Sequence, residues 1–148
     1  MVVILFAFSV SGCYIGADAG LRRKEHKQAL QVFKYLKKED VDALNGLFSE
    51  SVAENHDLDE EWEAFFDEID GNIVSYDKLE VSVLERWDDN WKTTRALIQV
   101  TFRNVTTDEG EVYEKIIYND YAIHSDKDSV GITVFCLEND KAVVGGGE

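Results

Sequence analysis

The chain has 148 residues, 45% of them apolar, with 30 acids against 15 bases and a net charge of −15. Its length suits one core, since a single domain takes roughly 100–150 residues, and the apolar fraction excludes a largely disordered chain. The acidity argues against nucleic acid as a partner, because phosphate binding needs a positive footprint, and two cysteines cannot form a disulfide scaffold.

Residues 1–10 (MVVILFAFSV) are an apolar run without charge. The run is shorter than the roughly 20 apolar residues of a membrane-spanning helix and fits the apolar region of a secretory signal. It ends in Val10-Ser11-Gly12-Cys13, which resembles the lipobox of bacterial lipoproteins: an aliphatic residue, two small residues and the cysteine that receives lipid. The small residues give the processing peptidase a slim, extended backbone beside the cut. The resemblance implies a signal peptide over 1–12, lipid on Cys13, a tether over 13–21, and anchoring to the extracytoplasmic face of the cell membrane. Cys136 is then left without a partner and reads as a small buried hydrophobe on a strand.

Residues 22–38 hold seven bases and one acid, Glu25, whereas 39–148 hold eight bases and 28 acids. A basic segment next to a lipid anchor suits an anionic membrane surface, where each Lys or Arg contributes about 1 kcal/mol; it also suits a plain solvated helix face. Ala29, Leu30, Val32, Phe33 and Leu36 recur at helical spacing and predict a helix over 21–38. Asp40 reads as the N-cap of a short second helix carrying Val41, Leu44, Leu47 and Phe48. A third begins at Asp57, with Glu60 in capping-box position. Its stripe is Leu58, Trp62, Phe65, Phe66 and Ile69, and Asp70-Gly71-Asn72 ends it.

Strand chemistry follows over 73–76, 79–87, 91–104, 112–124 and 130–137, with turns at 88–90, 107–110 and 126–128. Ala96, Ile98, Val100 and Phe102 share one face of their strand. Residues 141–148, with Gly145-Gly146-Gly147, read as a tail. The order predicts one α+β domain over 22–140, helices first and then a curved antiparallel sheet.

Residues 29–52 (ALQVFKYLKKEDVDALNGLFSESV) resemble the opening of the nuclear-transport-factor-2-like (cystatin-like) superfamily, a long helix followed by an acidic cap and a second helix. Residues 65–67, 70–77 and 130–132 make the chain similar to bacterial lipoproteins of that fold over about 22–140. The resemblance implies a cone, in which a bent sheet wraps the long helix and a pocket lies at the open end. Candidates to line it are Trp62, Phe66, Tyr76, Tyr118, Asp120 and His124.

Tyr118, Asp120 and His124 alternate on one strand and so point the same way. A histidine beside a carboxylate can serve as a general acid or base, yet residues four apart on a strand lie about 13 Å apart, so Asp120 and His124 cannot bond directly. His56 adjoins an acidic run, but neither a calcium-loop pattern nor an H-E-x-x-H zinc motif is present. Acids at a helix start complement its dipole; no metal or cofactor is expected. Trp87 and Trp91 flank the 88–90 turn, where a hairpin would set them close together across the strands, either as a stabilising pair or as a patch for a partner. Nucleophile-elbow, phosphate-loop and dinucleotide motifs do not occur.

The expected function is that of a membrane-anchored extracytoplasmic lipoprotein domain binding a small ligand or a protein partner without catalysis, with a homodimer through the sheet as a further partner. The alternatives are a hydrolase- or isomerase-type enzyme using the cone pocket, and an immunity-like lipoprotein that neutralises a partner. An enzyme should bury a titratable residue with a hydrogen-bond partner in the pocket. A ligand binder should enclose an apolar pocket. A docking module should have a filled cone and an exposed apolar patch.

Overall fold

The computed structural model describes residues 17–146; the signal segment 1–12 and Cys13 lie outside them. Four helices, α1 (Ala17–Lys38), α2 (Val41–Asn45), α3 (Glu50–Asn55) and α4 (Leu58–Asp67), precede six strands. The strands are β1 (Ile73–Ser75), β2 (Lys78–Trp87), β3 (Thr93–Thr107), β4 (Val112–Ile123), β5 (Gly131–Leu137) and β6 (Val143–Gly145). All pair antiparallel in one sheet of order β1-β3-β4-β5-β6, with β2 also pairing with β3. The fold is α+β, with helices packed on a curved, unclosed sheet.

Helix α1 begins at Ala17, so residues 17–21 are helical, contrary to the tether expected there. Lys37 and Lys38 sit in its last turn, where positive charge complements the helix dipole. Glu39 turns left-handed (φ 51°) and lets Asp40 N–H bond to Tyr35 O at 3.0 Å, a closing bond of the Schellman kind. Asp40 caps α2 by accepting from Ala43 N–H at 3.2 Å. The second helix is shorter than its apolar spacing implied: Leu47 and Phe48 leave it, and Phe48 makes a parallel bridge to Ile132. Ser49 then caps a separate α3 by accepting from Val52 N–H at 3.4 Å. Asp57 caps α4 as expected, accepting from Glu60 N–H at 3.3 Å.

The alternation read in β3 holds, since Ala96, Ile98, Val100 and Phe102 are all fully buried. Bulges interrupt the β2–β3, β3–β4 and β4–β5 ladders and add local bend and twist. The C-terminal segment is not a tail over 141–146. Val143–Gly145 pairs with β5, and Val144 is fully buried. Cys136, expected to be buried, is half-buried and borders a cleft with Gln99 and Lys115.

Aromatic rings run through the interior. Phe33 lies 5.2 Å from Phe102, Phe102 6.3 Å from Tyr118, Tyr118 5.1 Å from Phe135, and Phe135 5.0 Å from Trp62. Trp62, Tyr118, Phe102 and Phe135 are fully buried, as are Ile98, Ile116 and Ile132 around them. Side chains thus fill the cone where an open pocket was expected.

Candidate functional site

The strand period turns Ile116, Tyr118 and Asp120 of β4 inward, beneath α1. On the helix, Glu25 lies four residues after Leu21 and four before Ala29, which puts its carboxyl on the apolar face. Glu25 is only 1% exposed and Asp120 5%. Gln28, one turn beyond Glu25, donates from Nε2 to Asp120 Oδ2 at 2.7 Å. Glu25 Oε2 and the Tyr118 hydroxyl are buried without a hydrogen-bond partner among the described residues.

Burial is the main cause of an altered acidity here, because desolvation disfavours the charged form. It pushes the Glu25 carboxyl from 4.5 up to about 7, helped by the charge of Asp120 and opposed by Lys24. Burial also raises Asp120, against the lowering effects of the Gln28 bond and Lys24. The Tyr118 phenol is raised by burial and then by the two carboxyls. Such a pair of buried acids can hold a proton near neutral pH, with a phenol as a further donor. Two clefts at the sheet are lined by residues other than Glu25, Tyr118 and Asp120. A cleft of about 170 Å³ lies beside Leu97, Asn119, Tyr121 and Val134, and another of about 230 Å³ beside Leu84, Arg86, Arg95 and Tyr121.

The six pocket candidates separate. Tyr118 and Asp120 meet Glu25, which sequence reasoning missed. Trp62 stacks on Phe66 at 5.5 Å within the core, and Tyr76 packs edge-on against Phe33 at 4.6 Å. His124 does not join Asp120: it follows the end of β4, with Nε2 2.7 Å from Arg95 Nη2 and its ring 5.0 Å from Tyr121. Both ring nitrogens of His56 have partners within the fold. Its Nδ1 lies 2.8 Å from Glu61 Oε1 and its Nε2 2.7 Å from Gly146 O, while Glu61 Oε2 accepts from Gly145 N–H at 2.6 Å.

The partner-patch candidates are exposed but are not a cross-strand pair. Trp87 is paired with Thr93, and Trp91 sits in the turn itself with φ 60°. Asp88 closes that turn by accepting from Asn90 N–H at 2.9 Å and Lys92 N–H at 3.0 Å. Trp91 is 80% exposed, Leu84 71% and Trp87 53%.

The family model described as Domain of unknown function (DUF5104) matches residues 31–139. The matched stretch includes Tyr118, Asp120 and the tryptophan hairpin, and begins after Glu25 and Gln28. No curated protein and no solved structure matches the chain.

Proposed function

We propose that this chain, which belongs to the DUF5104 family, is a membrane-tethered docking module that works by surface contact and carries out no reaction. The observation that carries this reading is a cone filled by Trp62, Tyr118, Phe102 and Phe135 together with two large tryptophans left outside on one hairpin. A packed interior favours contact at the surface over binding inside it, and tryptophan is enriched among the anchors of binding surfaces. The tether is the lipid on Cys13, and the fold kinship is with nuclear-transport-factor-2-like proteins. An immunity-like role is the same reading with a protein as the partner.

The test places a photo-crosslinking side chain at position 91, or at Glu109 in the β3–β4 turn at the far end of the sheet, in cells producing the chain. Position 91 should give an adduct in the membrane fraction and Glu109 none, and the Cys13→Ser variant should leave that fraction. Equal crosslinking at both positions would contradict docking through the hairpin.

A second reading, general acid–base catalysis by Glu25 and Asp120 with Tyr118 as donor, is favoured by the burial of all three at one place. It requires the first half of α1 to lift from the sheet so that a substrate can enter.

A further inference from the structure

Helix α1 lies antiparallel to β2. Phe33 contacts Tyr76, just before β2, whereas Arg22, three turns earlier, donates to Val81 O at 2.7 Å. The start of α1 therefore points towards the tip of the β2–β3 hairpin, the end that carries Trp87 and Trp91. The turn between β4 and β5 closes the same end, because β4 runs antiparallel to β3 and β5 antiparallel to β4.

This end differs in charge from the rest. Segments 17–28, 84–95 and 120–130, which build it, hold eight bases and eight acids; the remaining residues hold seven bases and 22 acids. Four of the eight acids are engaged locally. Glu25 and Asp120 are buried, Asp88 closes the hairpin turn, and Asp126 accepts from Asp128 N–H at 3.2 Å and Ser129 Oγ at 3.4 Å. Arg23, Lys24, Lys27, Arg86 and Lys92 are exposed. Exposed apolar bulk gathers here too, with Leu84, Trp87, Trp91 and Val130.

We infer that this end is a membrane-contact face, on which Trp87 and Trp91 enter the headgroup region of the anionic bilayer to which the chain is tethered; the inference rests on the lipid-anchor reading and names the partner of the docking surface. Ala17 lies four positions beyond Cys13, a reach of about 14 Å at full stretch, so an acyl anchor holds the start of α1 close to the headgroups. An acidic body brought that near an anionic surface turns its least negative end towards it. Tryptophan rings favour that interface, where the indole body is apolar and its N–H stays wet. Nearby bases add attraction to anionic headgroups.

The test uses the full-length acylated protein in vesicles of phosphatidylglycerol and phosphatidylcholine brominated near the top of the acyl chains. Emission from Trp87 and Trp91 should be quenched and blue-shifted. Trp87→Ser/Trp91→Ser protein should retain only the unquenched signal of the buried Trp62. Flotation with the vesicles without quenching would overturn the contact face while leaving the tether intact, and would give the tryptophans to a protein partner. Failure to float would sink the tether and the contact face together. Quenching of equal strength in purely neutral vesicles would overturn the role of the charge.

Discussion

Glu25 and Asp120 are two carboxyl groups from different elements, α1 and β4, buried together beneath a helix whose solvent face is basic. Asp120 accepts from Gln28 at 2.7 Å, while Glu25 Oε2 has no hydrogen-bond partner among the described residues. Burial first, and the neighbouring charge of Asp120 second, favour the protonated form of Glu25 and raise it to about 7.

This relationship sets the pH dependence of stability. A carboxyl whose folded pKa lies above its unfolded value binds more protons in the folded state, so its contribution is fully present below the unfolded pKa and is lost as pH rises through the folded one. For Glu25 the window runs from 4.5 to about 7, worth on the order of 3 kcal/mol. Urea unfolding should become easier between about pH 5 and pH 8, and Glu25→Gln should flatten that slope and raise stability at pH 8. An unchanged slope in the variant would mean that other groups carry it.

Much of the fold was legible because its signals are local. The cap residues Asp40 and Asp57 announce α2 and α4, and the period-2 run from Ala96 to Phe102 announces a half-buried strand. Glu25 was readable too, since its spacing to Leu21 and Ala29 places it on the apolar face; counting it only as one acid in a basic segment hid that. The Tyr118–Asp120–Glu25 grouping depends on how α1 crosses β4, a tertiary fact that strand spacing does not contain. Strand β6 was missed because Val143–Gly145 is short and glycine-flanked. Its place comes from β5 and the Glu61 clasp, both distant in sequence.

Trp62 gives a test of the filled interior. Its ring touches Phe48, Phe65, Phe66 and Phe135. Trp62→Ala should cost about 3–5 kcal/mol by urea unfolding, the range for deleting a buried aromatic. Near-wild-type stability would place a cavity where the packed cone stands.

The Glu61 clasp should set the local stability of β6. Glu61 holds Gly145 N–H and His56, which in turn reaches Gly146 O. Its bond to His56 is the largest cause of that imidazole's raised pKa. The linked stabilisation is thus present at low pH and is lost as pH climbs through the folded value. Glu61→Gln should speed amide exchange at Val144 and Gly145 while leaving the exchange of β3 unchanged. Uniform acceleration across the sheet would show that β6 opens only with the whole domain.

Gly131 is required where the α2–α3 connection crosses the sheet. Its φ is 125°, and a Cβ there would lie 2.9 Å from Ser49 N and 3.2 Å from Leu47 O. Those same residues bond to Ile132, with Ser49 N–H donating to Ile132 O and Ile132 N–H to Leu47 O, each at 2.9 Å. Gly131→Ala must therefore strain the backbone and push this bridge apart, costing about 1–3 kcal/mol. A melting temperature within a degree or so of wild type would show that the crossing can give way.

Trp91 separates stability from function. A left-handed conformation costs a side-chain-bearing residue roughly 1–2 kcal/mol, while glycine gives back about 0.5–1 kcal/mol through its freer unfolded chain. At 80% exposure with φ 60°, Trp91 bears that strain without the burial that would offset it. Trp91→Gly should thus raise stability by about 0.5–1 kcal/mol in thermal unfolding, whereas losses come when aromatic rings are taken from a core. The same substitution should weaken the lipid quenching of the remaining hairpin tryptophan, Trp87. A variant that is both less stable and fully competent in docking would mean that the indole packs against the domain and has no outside partner.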